Sequence, residues 1–351
     1  MRALSRLGPL VLVLGLTQLS AQSPSKSALV KLDSSLDAIV SPTAEIEILK
    51  EEYFGLAEGP LWINEGASGY LLLSDVGAND IYRWTPDGTL SAFLQKTGWS
   101  GTDTTTLHTY IRPTGGTTFG SNGITLDRQG RLVWAAQGDR AVIRQERDGT
   151  RTVLADRYQG KRFSRPNDVI VKSDGSVYFT DLPGATTIKE LDFNGVFLIK
   201  DGNVRVVERE LTPNGLALSP DEKYFYVNHF EGGGKIYRYD VMSDGALANR
   251  RVFVDMTVDK APGGADGVKV DQRGNLYSTG PGGVWIISAD GKHLGTISTA
   301  TIGVMTNVAF GDPDGKTLYL TARRTLARIR VNVPGVRPHE GLLAPIEGRA
   351  K

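Results

Sequence analysis

The stretch Asn214-Gly215-Leu216-Ala217-Leu218-Ser219-Pro220-Asp221 places an oxygen-bearing side chain directly before an apolar run and a turn signal. The same order of features recurs along the chain, and we call the first residue of each recurrence its anchor residue. The other recurrences are Glu58-Gly59-Pro60, Asn122-Gly123-Ile124, Asn167-Asp168-Val169, Asp266-Gly267-Val268 and, more weakly, Asn307-Val308-Ala309. From residue 122 onward the anchors lie 45, 47, 52 and 41 residues apart, which is a period typical of solenoids, propellers and arrays.

Each repeat contains short β-branched and aromatic runs that are separated by turn signals. In one repeat, Ile124-Thr125-Leu126, Leu132-Val133-Trp134 and Ala141-Val142-Ile143 are divided by turns such as Arg128-Gln129-Gly130. Such runs predict antiparallel hairpins, and no long segment with a helical period lies between them. Four strands in each unit of 40 to 50 residues is the composition of a propeller blade.

The sequence therefore predicts an all-β fold, a six-bladed β-propeller with four antiparallel strands per blade over residues 44–332. The last repeat offers only three clear runs. We expect Glu45-Ile46-Glu47-Ile48-Leu49 to supply its fourth strand, which closes the ring and leaves no long unpaired edge. Residues 333–351 are predicted to form a C-terminal tail.

The N-terminus has the features of an export signal. Arg2 and Arg6 precede the apolar residues 9–16, and the small residues Ser20 and Ala21 follow. This pattern predicts a signal peptide over residues 1–21, a flexible lead-in over residues 22–43, and an exported protein, periplasmic or secreted. The apolar stretch is too short to span a bilayer, so we expect no membrane association after cleavage.

Composition excludes several classes of partner and chemistry. The formal net charge is +1, which gives no electrostatic case for binding nucleic acid or an anionic membrane. The chain lacks cysteine, a Gly-x-Ser-x-Gly motif and a clustered histidine pattern, which argues against a lipoprotein, disulfides and a Ser-His-Asp hydrolase. We expect a small-molecule partner, and the sequence indicates no oligomeric state.

The anchors are the candidate site residues. Because the innermost strands of all blades start from the same face of a propeller, the side chains at those starts point to one spot at the channel mouth. These residues are Glu58, Asn122, Asn167, Asn214 and Asp266. Oxygen donors alone favour a hard divalent cation: Ca²⁺ matches best, and Mg²⁺, Mn²⁺ and Zn²⁺ are the alternatives. Asn and Asp before Gly are also ordinary turn residues, and that interpretation competes at each position.

Several motifs resemble those of the gluconolactonase / senescence-marker-protein (regucalcin) family of calcium-dependent lactonases, and in particular its exported bacterial gluconolactonase-like branch. The motifs are Ala57-Glu58-Gly59-Pro60-Leu61-Trp62, Gly120-Ser121-Asn122-Gly123, Arg165-Pro166-Asn167-Asp168, Pro213-Asn214-Gly215-Leu216 and Ala265-Asp266-Gly267-Val268. The resemblance covers about residues 44–331. It implies a six-bladed propeller that hydrolyses a sugar lactone such as gluconolactone.

The resemblance also implies roles for the anchors. Glu58, Asn167 and Asp266 would bind the metal directly, with Asn214 as a fourth ligand, and Asn122 would contact the substrate or the metal. The cation would polarise the lactone carbonyl, while Asp266 acts as general base or only as a ligand. A phosphotriesterase-like hydrolase with the same metal site and a non-catalytic exported ligand-binding propeller are the alternative functions.

Some positions depart from the family pattern. Regucalcin-type members carry Arg where this chain has Gly120, and many members carry His or an acid near Gln137. The loop after Thr180-Asp181 is shortened, and residues 98–118 form a Thr- and Gly-rich insertion. We expect the metal ligands to be kept and the substrate pocket to differ. The insertion is either a surface loop or a lid in which Trp99, His108, Tyr110 or Arg112 contacts substrate.

Overall fold

A computed structural model describes residues 28–107, 110–111, 117–184 and 189–338 and confirms the six-bladed β-propeller. All strands that pair within a blade are antiparallel. The first 21 residues, where the sequence predicts a signal peptide, lie outside the described part of the chain. In the described part, no helix has the length and apolar character needed to cross a bilayer.

The strands follow one another blade by blade. The N-terminal segment contains β1 (Leu29–Lys31), a 3-10 helix (Ser34–Ala38) and β2 (Glu47–Lys50). Blade 1 is β3 (Ala57–Ile63), β4 (Tyr70–Asp75), β5 (Asp80–Trp84) and β6 (Leu90–Gln95), and it is followed by the hairpin β7 (Tyr110–Ile111) and β8 (Thr117–Thr118). Blade 2 is β9 (Ser121–Leu126), β10 (Leu132–Ala136), β11 (Ala141–Gln145) and β12 (Arg151–Ala155), and it is followed by the hairpin β13 (Arg157–Tyr158) and β14 (Lys161–Arg162).

The second half of the ring repeats this plan. Blade 3 is β15 (Pro166–Val171), β16 (Val177–Asp181), β17 (Gly195–Lys200) and β18 (Asn203–Glu208). Blade 4 is β19 (Pro213–Leu218), β20 (Tyr224–His229), a 3-10 helix (Glu231–Gly233), β21 (Lys235–Val241) and β22 (Leu247–Asp255). Blade 5 is β23 (Val268–Val270), β24 (Leu276–Gly280), β25 (Gly283–Ile287) and β26 (His293–Ser298), and blade 6 is β27 (Asn307–Gly311), β28 (Thr317–Ala322) and β29 (Thr325–Arg330).

The innermost strands form a closed ring around the channel. Each contacts its neighbours in the order β3, β9, β15, β19, β23 and β27, and β27 contacts β3 again. The N-terminal β2 pairs with β29 as the fourth strand of blade 6, so the predicted closure by this segment is confirmed, over Glu47–Lys50. Apolar side chains pack between adjacent blades; Tyr70 of blade 1, for example, shares a buried cluster with Trp134 of blade 2.

The segments that flank the propeller differ from the predicted flexible lead-in and tail. Residues 28–43 pack on the ring: β1 adds a fifth strand to blade 5, and Leu36 and Val40 are fully buried in the core between blades 5 and 6. The apolar spacing of Leu36, Ile39 and Val40 explains this, because one turn of 3-10 helix directs all three inward. On the C-terminal side, Val333 is buried and Gly335 pairs with Asp271.

Candidate active site

Four of the six anchor residues, Glu58, Asn122, Asn167 and Asn214, lie at irregularities of the inner strands. In blades 2 to 4, each anchor and the residue after it together face one residue of the neighbouring strand; Asn214 and Gly215, for example, lie between the pairs Pro213–His229 and Leu216–Val227. In blade 1 the irregularity follows Glu58 directly. Such a β-bulge redirects a side chain that the regular alternation would turn away. This local geometry directs these four anchors toward the channel mouth.

The glycine after most anchors is explained by close packing between blades. A Cβ atom on Gly59 would lie 2.0 Å from the Asn122 carbonyl oxygen, and one on Gly215 would lie 2.3 Å from the Asp266 carbonyl oxygen. Asn122 and Asn214 themselves lie inside strands β9 and β19. The competing interpretation of Asn-Gly as a turn is therefore wrong at these positions, where glycine permits neighbouring inner strands to approach each other.

All five predicted site residues line one cleft of about 520 Å³ at the starts of the inner strands. Glu58, Asn122, Asn167 and Asn214 are buried, with at most 6% of each residue exposed, while Asp266 is partly exposed. The sixth anchor, Asn307, supports the first, because its Nδ2 donates a hydrogen bond to Glu58 Oε2 at 3.2 Å. Propeller closure thus brings together side chains that are up to 208 residues apart in sequence (266 − 58).

A chain of polar side chains crosses the cleft from blade 2 to blade 5. Gln137 Nε2 donates to Asn167 Oδ1 at 2.8 Å, and Asn167 Nδ2 donates to Asn214 Oδ1. The Asn214 side chain in turn lies close to Asp266, where it opposes the rise in the pKa of that carboxyl that burial causes. Each amide is oriented by its neighbour, so the donor set is organised before any ligand binds.

The two carboxylates of the cleft are electrostatically unfavourable in the absence of a cation. Burial raises the pKa of Glu58 to about 7; the Asp168 carboxylate acts in the same direction, and hydrogen bonds from Asn307 and Gly59 oppose it. Burial also raises the pKa of Asp266 well above its usual range, with further contributions from Glu58 and Asp168. Positive charge placed between Glu58 and Asp266 would relieve both effects.

The acidic groups alone do not make a metal site. Within the described residues, no group of three or more His, Cys, Asp and Glu side chains is arranged to hold a metal ion. A cation in the cleft would therefore need the amide oxygens of Asn167 and Asn214 as well as the carboxylates. This mixed oxygen set fits a hard cation such as Ca²⁺, whose ligands are carboxylates, amide carbonyls and water.

Two buried aspartates at the ends of second strands shape the cleft wall. Asp75 accepts hydrogen bonds from the backbone N–H groups of Gly55 and Leu56, at 3.1 and 3.2 Å. Asp181 accepts from Ser164 and Arg165 at 2.9 and 2.6 Å, and burial raises its pKa to about 7. Leu56 and Arg165 both line the cleft, so these aspartates position the residues next to the anchors.

The departures from the family pattern have a structural counterpart. A Cβ atom on Gly120 would lie 2.8 Å from the Val76 carbonyl oxygen, so no side chain fits there. The start of the insertion packs on the same region, where Gly98 N and Trp99 N donate to Asn79 Oδ1. No described residue of the insertion lines the cleft. Among the predicted lid residues, His108 and Arg112 lie outside the described residues, and the Tyr110 side chain is not described.

Sequence reasoning assigned no role to several residues that line the cleft. They are Leu56, Arg165, Leu182, Phe230, Val304, Met305 and Arg323. All of them lie in connecting segments or at turns, where no repeat marks their position. Only Arg165 carried a signal, because it lies two residues before an anchor within a quoted motif.

Comparisons with known proteins agree with this architecture. Residues 56–324 match the family model described as "SMP-30/Gluconolactonase/LRE-like region". A gluconolactonase from Zymomonas mobilis is 36% identical over 321 residues, which cover 88% of this chain and 87% of that protein. The pentonolactonase XacC of Haloferax volcanii is 32% identical over 270 residues, covering 76% of this chain and 81% of the relative.

Solved structures give the same result. The gluconolactonase structure from Xanthomonas campestris superposes with a TM-score of 0.73 at 31% identity, covering 86% of this chain and 94% of that one. A calcium-binding regucalcin from Agrobacterium tumefaciens shares the fold at 17% identity, with a TM-score of 0.64 over 84% of this chain and 96% of the other. The lactonase relatives support lactonase activity for this chain. The chain therefore belongs to the SMP-30/gluconolactonase/LRE-like family.

Proposed function

We propose that the protein hydrolyses a sugar lactone, such as gluconolactone, with the help of a divalent cation, Ca²⁺, bound at the channel mouth. One observation carries the proposal: oxygen-bearing side chains from four separate blades meet in one cleft. They are Glu58, Asn167, Asn214 and Asp266. Two relatives that cover most of the chain are a gluconolactonase and a pentonolactonase, which supports a lactone of an aldonic acid as substrate class.

The cation assignment rests on the chemistry of the donors. Two carboxylates and two amides supply fewer oxygens than Ca²⁺ prefers, so positions remain for water and for a substrate oxygen. A cation held by these four side chains would supply positive charge to the lactone carbonyl oxygen. The protein's own contribution is the preorganised chain of hydrogen bonds from Gln137 through Asn167 to Asn214, which holds the amides in place.

We assign Asp266 as the general base. It is partly exposed to the cleft, where a water molecule can reach it, whereas Glu58 is buried. The neighbouring carboxylates of Glu58 and Asp168 raise its proton affinity, which offsets part of the loss that a bound cation causes. Water adds to the carbonyl carbon and passes one proton to Asp266. The ring C–O bond then breaks, and the ring oxygen receives that proton as it becomes a hydroxyl group.

The rest of the cleft is suited to a monosaccharide. Asn122 offers an amide at the mouth, while Phe230 and Met305 offer apolar surface to the C–H groups of a sugar ring. The cavity of about 520 Å³ lies in the size range of small-molecule sites. Asn122 is therefore the residue that we assign to substrate binding.

A titration assay of proton release tests the proposal. Gluconolactone and a pentonolactone are incubated with the protein, with chelator, and with chelator followed by excess Ca²⁺, and spontaneous hydrolysis is subtracted. We expect turnover that chelator removes and that Ca²⁺ restores. Turnover that persists in chelator would contradict the cation-assisted mechanism. Turnover of a phosphotriester in place of both lactones would favour the phosphotriesterase-like alternative, and ligand binding without any turnover would favour the non-catalytic one.

We also propose that the protein is exported, because Arg2, Arg6 and the apolar residues 9–16 form a signal pattern. Expression of the full chain in a bacterium with a periplasm tests this. The expected product is a periplasmic protein whose mass corresponds to a start at Gln22. A cytoplasmic protein that retains residues 1–21 would contradict the proposal.

A further inference from the structure

The inner strands enclose a second cavity at the end of the channel opposite the candidate site, which we call the far-end cavity. It has a volume of about 250 Å³, and among the described residues it shares no lining residue with the cleft at the mouth. The third residue after each anchor lines it: Leu61, Thr125, Ile170, Ala217, Lys269 and Phe310. Five of these six residues are uncharged, and the one in blade 5 is a lysine. Because five blades build the same ring without a charge at this register, the fold does not require the lysine.

Lys269 brings an ammonium group to this mainly apolar lining. It is the middle residue of β23, and its neighbours Val268 and Val270 are both buried. Its Nζ donates to the Val268 carbonyl oxygen at 3.1 Å and to Asn307 Oδ1 at 3.4 Å, and it forms no ion pair with a carboxylate of the described residues. An ammonium group has three N–H donors, so one remains for an acceptor in the cavity. An anion bound there would offset the cost of partly burying this charge.

The other charged residues that line the far-end cavity already have partners. Glu222 Oε2 lies 3.2 Å from the Lys172 Nζ and forms an ion pair with it. Arg337 Nη1 donates to the Asp312 carbonyl oxygen at 2.7 Å. The described lining thus carries two cations and one anion, so positive charge is in excess. An incoming anion would therefore pair with Lys269.

The rest of the lining is suited to the apolar part of a ligand. Leu61, Ile170, Leu216 and Phe310 present aliphatic and aromatic surface from four different blades. The volume of about 250 Å³ is below the roughly 300 Å³ at which drug-sized sites begin, which favours a small molecule. Val336 also lines the cavity and is 39% exposed, so a ligand can reach the cavity from this end. The lining and its single unmatched cation together select a small apolar molecule with one acid group.

A short series of hydrogen bonds joins the far-end cavity to the mouth. Asn307 Oδ1 accepts from Lys269 Nζ at 3.4 Å and from Val308 N–H at 2.9 Å. These two donors orient the amide so that Asn307 Nδ2 donates to Glu58 Oε2, at 3.2 Å. Burial raises the pKa of Glu58, and the positive charge of Lys269 acts in the opposite direction, so the two groups interact electrostatically. Neutralisation of Lys269 by a bound anion would therefore affect a carboxylate of the candidate site.

We propose that the far-end cavity is a second ligand site, which binds a small apolar monocarboxylate with its acid group on Lys269. The bound carboxylate strengthens cation binding at the mouth, because it offsets the positive charge of Lys269 that repels a cation at Glu58. By linkage, the cation strengthens carboxylate binding by the same factor. The site itself lies outside the proposed lactonase cleft, and only this coupling rests on the cation of the proposed function.

Calorimetry with octanoate and octanol, on the full chain in the presence of chelator, tests the site. Octanoate should bind saturably and about tenfold or more tighter than octanol, because a charge-assisted hydrogen bond holds its acid group. Lys269→Met keeps the length of the side chain, so it should weaken octanoate binding about tenfold and spare octanol binding, whereas Lys269→Arg should keep part of the octanoate affinity. Lys223→Met is the matched control, since the Lys223 side chain is 77% exposed and does not line the cavity, and it should bind both ligands as the wild type does. Circular dichroism checks that all variants fold.

Equal octanoate affinity in the wild type and Lys269→Met would place the ligand elsewhere and overturn the site. Pro338 lines the cavity, so octanoate binding that appears only in a chain shortened to end at Pro338 would assign the cavity to residues 339–351 and also overturn it. A second titration measures the coupling: saturating octanoate should lower the Ca²⁺ dissociation constant about fivefold in the wild type and leave it unchanged in Lys269→Met. An unchanged constant in the wild type would overturn the coupling. Octanoate binding without any Ca²⁺ binding would overturn the proposed cation mechanism and leave the second site standing.

Discussion

The two ends of the propeller channel are built by the same six inner strands, yet their chemistry is opposite. At the starts of the strands the lining is Glu58, Asn122, Asn167, Asn214 and Asp266. At the other end, a smaller cavity of about 250 Å³ is lined mainly by apolar side chains of the same strands, among them Leu61, Ile124, Val169, Leu216, Val270 and Phe310. Burial alone favours only the apolar lining of this second cavity.

The difference indicates which residues serve the fold and which serve the site. Apolar residues at the far end reduce exposed surface and stabilise the ring. The polar residues at the mouth are costly to bury: burial raises the pKa of Glu58 because it disfavours the charged form of the carboxyl group. A buried arrangement that costs stability and is organised by hydrogen bonds is typical of a functional site.

The largest loss of activity is expected from substitutions of the carboxylates at the channel mouth. Glu58→Gln keeps the shape of the side chain but removes one of two carboxylates, so we expect kcat/KM for gluconolactone to fall by about a thousandfold or more. Asp266→Ala should have a similar effect because it removes both a ligand and the proposed base. Initial rates measure the loss, and circular dichroism checks that both variants fold.

Glu51→Gln is the matched control for Glu58→Gln, since Glu51 is exposed and does not line the cleft. It should retain wild-type turnover. A Glu58→Gln variant with more than a tenth of wild-type activity would show that this carboxylate is not a metal ligand.

A substitution in the apolar lining at the far end of the channel should reduce stability and leave catalysis unchanged. Phe310 is 3% exposed, and its ring packs edge-on against Tyr277 at a centroid distance of 4.8 Å. Phe310→Ala should lower the free energy of unfolding by about 3–5 kcal/mol because it leaves a cavity. Denaturant unfolding measures this, and kcat/KM of the folded variant should change less than threefold. Val252→Ala, at a residue that is 49% exposed, should cost less than about 1 kcal/mol.

The pH dependence of stability tests the polar end of the channel without changing the volume of any side chain. The pKa of Glu58 is raised to about 7 in the folded protein without bound metal, above its ordinary value of 4.5. The folded state then binds more protons than the unfolded state between these values, so stability without metal should fall as pH rises from about 4.5 to about 7. The expected loss from Glu58 is about 1–3 kcal/mol. Unfolding in denaturant at several pH values measures it.

Two comparisons isolate this effect. Buried Asp181, with a pKa raised to about 7, and Asp266, with a pKa raised well above its usual range, contribute losses of the same sign. The difference between wild type and Glu58→Gln therefore gives the share of Glu58 together with its effect on Asp266. Ca²⁺ should raise the stability of the wild type most at neutral pH, because binding requires the charged carboxylates. An identical pH profile in wild type and Glu58→Gln would contradict the raised pKa.

The two ends also differ in how far the sequence predicts them. The blades could be predicted because local signals repeat, with β-rich runs, Asp-Gly turns and an anchor at a constant register. Convergence of the anchors followed from that register, even though Glu58 and Asp266 are far apart in sequence. Phe230 and Arg323 were not predictable in the same way, since each lies in a connection of its own length. Packing of Leu36 on the core was also missed, because a short 3-10 turn gives almost no periodic signal.

The smallest expected effect separates two amides within the mouth itself. Asn122 is assigned to substrate and Asn214 to the cation, although both occupy the same register of their inner strands, in blades 2 and 4. Asn122→Ala should raise KM for gluconolactone about three- to tenfold and leave the Ca²⁺ dissociation constant unchanged, because a single neutral hydrogen bond contributes about 1 kcal/mol. Asn214→Ala should instead weaken Ca²⁺ binding, since it removes a donor oxygen and the hydrogen bond that orients Asn167. Calorimetry and steady-state rates measure both constants, and equal weakening of Ca²⁺ binding by the two substitutions would place Asn122 among the ligands.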